Sequence, residues 1–180
     1  EITQSSTDDW VFIDQANLSN WKIKFKGLKI LKKNIDNSLQ RFNIFGLTGC
    51  LTINDSILSN TSIILEGGKC EDSLNIINSQ GSLSLIDIKH SNSDGVDLDF
   101  SKLIVKKLIV KEAINDCLDV SGGDYYIKNA TLINCGDKGI SVGEKSTFKS
   151  DEIYLNRAFI GVSSKDLSTA SVLELSSDNV

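Results

Sequence analysis

Two short acidic segments mark where this chain could do chemistry. Aspartates recur at matching positions about 22 residues apart: Asp94 and Asp97 in the first segment, Asp116 and Asp119 in the second. If residues at equal offsets stack, as they do in repeat proteins, these four carboxylates crowd one strip of the surface. Oxygen ligands suit Ca²⁺, so the four aspartates are candidate Ca²⁺ ligands. The alternative is that Asp94 and Asp116 cap corners of the chain while Asp97 and Asp119 face water.

Lys138 occupies the next copy of the position held by Asp94 and Asp116. A lysine beside carboxylates either forms a salt bridge with them or, if its pKa is lowered by burial or by a cation, acts as a general base. Proton abstraction α to a uronate carboxylate, with Ca²⁺ neutralising that carboxylate, is the chemistry such a cluster would serve. Asp99 and Lys145 are candidate substrate-binding residues, and Lys145 is equally well explained as a solubilising charge.

The strip depends on a repeat that runs through most of the chain. Apolar residues alternate with polar ones in each copy, and a period of two indicates a strand with one buried face. The copies follow one another at about 22 residues, and the last offset reads as shorter, which would stack Ile140 on Ile160. The paired apolar positions are Leu74/Ile76, Val96/Leu98, Leu118/Val120, Ile140/Val142 and Ile160/Val162.

A second apolar series recurs between these strands. Leu83, Val105 and Ile127 share one offset, and a further column contains Ile88, Val110 and Leu132. No helical period separates the strands, so coils of this length cannot contain βαβ crossovers. The sequence therefore predicts an all-β fold: a right-handed, single-stranded parallel β-helix (solenoid) with coils of about 22 residues.

Composition limits the classes of function. The chain has 180 residues, of which 40% are hydrophobic and 24% charged, as expected of a folded domain. Its formal net charge of -5 argues against a nucleic-acid partner, and no apolar run is long enough for a membrane span. We expect less regular coils or a cap over residues 1–45 and one continuous set of repeats over residues 46–180. Because the chain starts at Glu1, we expect a processed piece of a longer parent with other domains.

The first part of the chain contains a basic run from Lys22 to Lys33. Apolar residues at Ile23, Phe25 and Leu28 alternate with lysines, which indicates a further coil with lysines on its outer face. These lysines are interpreted either as a solvated strand face or as a patch that binds a polyanion.

The four cysteines are Cys50, Cys70, Cys117 and Cys135. They form no CxxC pair and have no histidine at the spacing of a zinc site, so we expect no zinc. Either one or two disulfides or four small buried side chains would fit. We favour unpaired cysteines, because a free cysteine packs like a small hydrophobic residue.

The segments that begin at Asp94, Asp116 and Gly136 resemble repeats of right-handed parallel β-helix proteins of the pectate-lyase-like superfamily. They are especially similar to bacterial surface or secreted members that can accompany CotH-like domains. The resemblance covers residues 46 to 170 or so. It implies a secreted or cell-surface location and, from the polysaccharide lyases of the superfamily, Asp94, Asp97, Asp116 and Asp119 as Ca²⁺ ligands and Lys138 as the base. The chain lacks the long loops that wall a substrate cleft in that superfamily, and no basic residue is obviously placed to hold uronates.

Two functions follow as rival expectations. The first is a domain that binds, and in an enzymatic form processes, an acidic polysaccharide or cell-surface glycan through the Asp/Lys strip. An enzyme of this kind would be a Ca²⁺-dependent lyase or epimerase. The second is a non-catalytic structural or adhesive spacer of a larger surface protein.

Overall fold

The structure is a computed structural model that describes residues 1–28 and 41–180. These residues form sixteen β-strands and no helix, so none of them lies in a helix able to cross a membrane. The strands are β1 (Ile2–Thr3), β2 (Val11–Asp14), β3 (Asn17–Ser19), β4 (Lys22–Lys26), β5 (Gly49–Asn54), β6 (Ile57–Glu66), β7 (Asp72–Ile77), β8 (Gln80–Ser91), β9 (Asp94–Asp99), β10 (Lys102–Ala113), β11 (Leu118–Ser121), β12 (Asp124–Cys135), β13 (Lys138–Gly143), β14 (Thr147–Asn156), β15 (Ile160–Ser164) and β16 (Thr169–Asp178).

The strands form two parallel sheets. Sheet A has nine strands, namely β1, β3, β4 and the even-numbered strands from β6 to β16. Sheet B has seven, namely β2 and the odd-numbered strands from β5 to β15. From β5 onward the chain alternates between the sheets, so each coil adds one strand to each. Coils about 22 residues apart stack into a solenoid of about 8 turns, which confirms the all-β parallel solenoid predicted from the sequence.

The predicted apolar columns lie inside the solenoid. Leu83, Val105 and Ile127 are in register on β8, β10 and β12, and all three are fully buried. Burying a side chain of this size contributes about 1.5–3 kcal/mol, so the stacked columns supply most of the driving force for folding. The second column, Ile88, Val110 and Leu132, is also in register and fully buried.

The predicted register of the last coil is wrong. Ile140 pairs with Val162 rather than with Ile160, and Ile160 pairs with Lys138. Residues 160 and 162 are both apolar, so alternation alone cannot distinguish registers two residues apart. The coil keeps its length of about 22 residues instead of shortening.

Left-handed backbone positions turn the chain out of sheet B. The residue after each of several sheet B strands has a positive φ, including 48° at Asn78, 49° at Phe100 and 63° at Gly122. The N–H of Asn78 donates to the carbonyl of Asp99 in the next coil, so the corner continues the ladder of hydrogen bonds. Gly122 is required for packing as well, because a Cβ there would lie 2.4 Å from the Phe100 ring.

A column of buried serines follows this corner. The N–H of Ser79 donates to Ser101 Oγ at 3.0 Å, and Ser101 Oγ donates to the carbonyl of Asp99 at 2.7 Å. The next coil has Gly123 at this position, where the Tyr125 hydroxyl replaces the serine and accepts the Ser101 N–H at 3.3 Å. A Cβ on Gly123 would lie 2.5 Å from the Tyr125 hydroxyl oxygen, so the glycine makes room for it.

The expectation of unpaired cysteines is wrong. Cys50 is bonded to Cys70 and Cys117 to Cys135, and no free cysteine remains. Cys50, near the start of β5, is bonded to Cys70 in the turn before β7, and Cys117, just before β11, is bonded to Cys135 at the end of β12. Each bond closes a coil, with the Cα atoms 5.4 and 5.3 Å apart. The pairing depends on this closure of the coil, which no short cysteine motif in the sequence reveals.

The N-terminal strands extend the same two sheets. β2 pairs with β5 and β4 pairs with β6. Ile23 and Phe25 are buried while Lys22, Lys24 and Lys26 are exposed, which confirms the predicted alternation. Leu28 is half-buried beyond the end of β4. The lysines of the basic run at positions 29, 32 and 33 lie outside the described residues, and the division near residue 45 stays a prediction.

Candidate functional site

The predicted aspartates do stack on sheet B. Asp97 is in register with Asn75 on one side and with Asp119 on the other. Asp94 is in register with Asp72, one strand away. We call this group of side chains the acidic strip. It consists of Asp72, Asn75, Asp94, Asp97, Asp99, Asp116, Asp119 and Lys138.

Asp94 and Asp116 cap the corners of neighbouring coils. Asp94 Oδ1 accepts the backbone N–H of Asp116 at 2.8 Å and the side-chain N–H of Asn115 at 2.7 Å. Asp116 Oδ1 accepts the backbone N–H of Lys138 at 2.8 Å. Such charge-assisted bonds are strong, and they satisfy backbone donors that a strand end leaves free. This arrangement is the corner-capping alternative for these two residues.

Lys138 lies in an ion-paired position. Its Nζ is 3.3 Å from Asp116 Oδ2 and also contacts Asp137 Oδ2. The hydrogen bond to Asp137 raises the pKa of Lys138, as does the negative charge of Asp116, and partial burial opposes them. A general base must be neutral, so this environment favours the salt-bridge interpretation of Lys138.

The centre of the strip holds carboxyl groups that lack a countercharge. Burial is the main cause that raises the pKa of Asp97 to about 10, and the nearby Asp99 and Asp72 add to it. The pKa of Asp72 rises to about 7 and that of Asp94 to about 6, again mainly through burial. Burial also raises the pKa of Asp119, although Lys165 opposes the shift. At neutral pH a proton therefore relieves much of the repulsion within the strip.

Several oxygen atoms of the strip have no hydrogen-bond partner in the described part of the chain. They are Asp72 Oδ2, Asn75 Oδ1 and Asp119 Oδ1, all of them buried. Ser141 Oγ lies near enough to Asp119 to lower its pKa without making a full hydrogen bond. Residues 1–28 and 41–180 contain no group of three or more His, Cys, Asp or Glu side chains arranged to hold a metal ion. The Ca²⁺ site stays a prediction, with Asn75 as an additional oxygen donor.

The two predicted substrate-binding residues are not brought together. Asp99 Oδ2 accepts the side-chain N–H of Asn75 at 2.9 Å. Lys145 is exposed in the turn after β13, two coils further along the solenoid, which corresponds to about 10 Å. Their role in binding a substrate stays a prediction.

A basic surface on the outside of sheet A was not expected from the sequence. Exposed lysines project from β10 and from the adjacent strands β8, β12 and β14. We call this surface the lysine face; it consists of Lys89, Lys102, Lys106, Lys107, Lys111, Lys128 and Lys149. The segment from Lys102 to Lys111 has lysines at outward positions and could have indicated this surface. The negative net charge of the whole chain gave no indication of it.

Most of the lysine face is free of ion pairs. Lys102 lies 3.9 Å from Asp124, and no other lysine of the face forms an ion pair within the described residues. The same four strands also carry five carboxylates, namely Asp87, Glu112, Asp124, Asp151 and Glu152. Three of them have other partners: Glu112 contacts His90, Asp151 accepts a hydrogen bond from the Tyr126 hydroxyl at 2.7 Å, and Glu152 accepts one from the Asn129 side chain. The seven lysines outnumber these five carboxylates, so the four strands have a small net positive charge although the whole chain has a formal charge of -5.

A groove of about 710 Å³ borders the lysine face. It crosses the first residues of five consecutive strands, β6, β8, β10, β12 and β14. Two rows of side chains line it. The polar row is Gln80, Lys102, Asp124 and Thr147, and the second row is Ser82, Ile104, Tyr126 and Lys149, with each row in register from strand to strand.

Comparison with known proteins gives no match to a family, to a curated protein or to a solved structure. Function must therefore be argued from the chemistry of these surfaces.

Proposed function

We propose that this chain is a secreted or cell-surface β-solenoid module that binds an acidic polysaccharide without processing it. The observation that carries the proposal is the lysine face, where exposed lysines project from adjacent strands of one sheet and, in the described part of the chain, only Lys102 has an ion-pair partner. An acidic polysaccharide presents carboxylates at regular intervals along an extended chain. Rigid, regularly spaced cations suit such a ligand, because little side-chain and backbone freedom is lost on binding.

The disulfides support the proposed location. Cys50–Cys70 and Cys117–Cys135 are both buried, and disulfides persist chiefly in oxidising compartments such as the cell exterior. Acidic polysaccharides are the abundant polyanions there. The resemblance to pectate-lyase-like proteins and the right hand of the coil stay predictions; the general rule for parallel crossovers supports that hand. The association with CotH-like domains also stays a prediction.

Binding without catalysis fits the acidic strip better than a lyase or epimerase does. A lyase base at Lys138 would have to be neutral, whereas its contacts with Asp116 and Asp137 favour the charged form. A lyase would release unsaturated uronates, which absorb ultraviolet light. We expect no rise in absorbance when the protein is incubated with a panel of polyuronates. A rise that Lys138→Ala abolishes would establish the enzymatic alternative.

Binding to immobilised polygalacturonate and alginate, with dextran as a neutral control, tests the proposal. We expect binding to both acidic polymers that weakens with added salt, because exposed charges are screened. The triple variant Lys106→Gln, Lys107→Gln, Lys111→Gln should bind about tenfold more weakly, since each exposed ionic contact is worth about 0.2–1 kcal/mol.

The matched control is Lys69→Gln, Arg157→Gln, Lys165→Gln. It removes the same charge from exposed basic residues outside the lysine face and should bind within twofold of the unaltered protein. Equal loss in both triple variants would mean nonspecific attraction. No binding to either acidic polymer at low salt would leave the structural spacer as the function.

A further inference from the structure

The two ends of the solenoid differ in how their interiors are covered. At the N-terminal end β1 pairs with β4. The buried side chain of Gln4 accepts the backbone N–H of Leu28 and donates to the carbonyl of Asp9, both at 3.0 Å. The first inward residues of the chain are at most 6% exposed, namely Leu18, Ile23 and Phe25. The chain therefore closes this end of the solenoid by itself.

The C-terminal end is open in the part of the chain that the structure describes. β15 and β16 are the last strands of their sheets, so one edge of each has no hydrogen-bonded neighbour. Leu175 is in register with Ile153, which is 2% exposed, yet Leu175 itself is 52% exposed because no described coil covers it. β16 contains neither proline nor lysine, two residues that commonly block pairing at a sheet edge. This edge is therefore free to pair with another strand.

We propose that two copies of this chain join by their C-terminal ends, with β16 of one copy antiparallel to β16 of the other. Such a dimer has a twofold axis, so it covers both open ends at once. Head-to-tail stacking would instead place the open end on the closed N-terminal end. One coil has about 22 residues, and a stable interface takes about 20–30 residues from each partner. The dimer does not depend on the proposed binding of a polysaccharide.

The burial pattern of the sheet A strands selects the register of this pairing. Four residues of β14 before its last position are buried, namely Phe148, Ser150, Ile153 and Leu155. They lie symmetrically about the pair Asp151 and Glu152, so the pattern reads the same in both chain directions. The corresponding inward positions of β16 are Ala170, Val172, Leu175 and Ser177. Pairing Val172 with Leu175 of the second copy is the register that places every inward position of one strand on an inward position of the other.

The same register keeps charged side chains of β16 from lying directly opposite each other. Glu174 is opposite Leu173 of the second copy, and Asp178 is opposite Thr169. The two copies of Glu174 are diagonal neighbours, with Cα atoms about 6 Å apart. Their mutual repulsion opposes the dimer, as like charges on adjacent strands do. Removing this charge is therefore a test of the register.

Sedimentation velocity of the full chain over a range of concentrations tests the dimer. We expect a species of about twice the 19.7 kDa of one chain, which dissociates on dilution. Leu175→Asp should leave only monomer, because it puts a charge into the interface without a partner. The matched control is Ile104→Asp, which alters a side chain of similar exposure, 50%, on the outer wall of the same sheet and should leave the dimer intact. Unchanged circular dichroism of both variants excludes unfolding as the cause.

Single cysteines test the register, because the native cysteines are all in disulfides. Leu173→Cys lies about 6 Å from its counterpart, within the range of a disulfide, and should give a covalent dimer under mild oxidation. Ser171→Cys is exposed on the same strand but lies about 18 Å from its counterpart, so it should not cross-link. Glu174→Gln should tighten the dimer severalfold. Asp178→Asn removes the same charge at the end of the strand and should not.

Four other outcomes would overturn this dimer. A monomer at every concentration would leave the open end to a different occupant, such as a further coil of a longer chain or another protein. Assemblies that keep growing as the concentration rises would indicate head-to-tail stacking. A dimer that survives Leu175→Asp would form through another surface. Equal cross-linking of Leu173→Cys and Ser171→Cys would contradict the antiparallel register.

Discussion

Ser73 and Ser91 face each other at the position that the Cys117–Cys135 disulfide occupies two coils further along. Their hydroxyl oxygens are 2.8 Å apart, and their separation of 18 residues equals that of the disulfide-bonded cysteines. Ser91 is in register with Cys135 through Ala113. Two residues therefore meet at the same place where each of these coils closes. In one coil they form a hydrogen bond and in the other a disulfide.

The double variant Ser73→Cys, Ser91→Cys should form a third disulfide. Closing a loop of this length constrains the unfolded chain and should add about 3 kcal/mol to the free energy of unfolding. Intact-mass analysis after thiol alkylation should show no free thiol, and denaturant unfolding with and without reductant should report the gain.

The matched control uses the coil between these two. Gly95→Cys, Ala113→Cys should not give a stable bond, because a Cβ at Gly95 would lie 2.6 Å from the Cys117 carbonyl oxygen. Free thiols that persist in the serine-derived variant under oxidising conditions would contradict the common closure geometry.

Tyr125→Phe should destabilise the solenoid by about 1–3 kcal/mol, because it leaves the buried N–H of Ser101 without its acceptor. The same phenol oxygen lies within 2.9 Å of the Leu98 and Ser121 carbonyl oxygens, either of which can accept its proton. Tyr126→Phe is the control, since its hydroxyl lies near the surface and its loss should cost less than about 0.5 kcal/mol. Urea unfolding measures both; equal effects would mean that the Tyr125 hydroxyl does not replace the missing serine.

Much of the fold could be predicted because apolar residues recur at equal offsets in successive coils. Val105 over Leu83 follows from their equal offsets, and so does Asp119 over Asp97. The register failed only where two apolar residues two apart, Ile160 and Val162, both satisfied the alternation.

The surfaces could be predicted less well, because they depend on how each coil closes and on how far each outward side chain is buried. Stacking placed Asp97 correctly, but the expectation that it faces water did not anticipate its burial, which raises its pKa. Lys106 and Lys107 were not singled out from the sequence, because only the parallel sheet brings their strand beside others that carry exposed lysines. The disulfides were missed since Cys117 and Cys135 meet only when the coil closes.

The protein should be more stable at pH 5 than at pH 8. The pKa of Asp97 is raised to about 10 in the folded state from its ordinary value of 3.8. A carboxyl group whose pKa is raised on folding contributes fully to the free energy of unfolding below about pH 4. That contribution is lost as the pH rises toward the pKa of the folded state. Asp72 and Asp94 act in the same direction, with losses that end near pH 7 and pH 6. Each group that stays protonated only in the folded state lowers the stability by about 1.4 kcal/mol per pH unit. Thermal unfolding should therefore show the steepest fall between pH 5 and 6, where all three groups contribute, and a shallower fall above pH 7, where Asp97 alone does.

Asp97→Asn should stabilise the protein at pH 8 and flatten the pH profile, because the amide has no charge to desolvate. Asp8→Asn, at an exposed position, serves as the control and should leave the profile unchanged. A steeper profile in Asp97→Asn, or a maximum of stability near pH 8 in the unaltered protein, would mean that a cation or a basic group already neutralises Asp97.

Calcium should raise the melting temperature, and more strongly at pH 8 than at pH 6. Ca²⁺ and protons compete for the same oxygens of Asp97 and Asp119, so a lower pH favours the proton. The unpartnered Asn75 Oδ1 offers a neutral ligand beside them. Asp97→Asn combined with Asp119→Asn should abolish the calcium-dependent shift, and Mg²⁺ should have a smaller effect because it requires a tighter octahedral site. A melting temperature that is indifferent to Ca²⁺ and EDTA at both pH values would rule out the cation site and leave protonation as the means by which the strip tolerates its stacked aspartates.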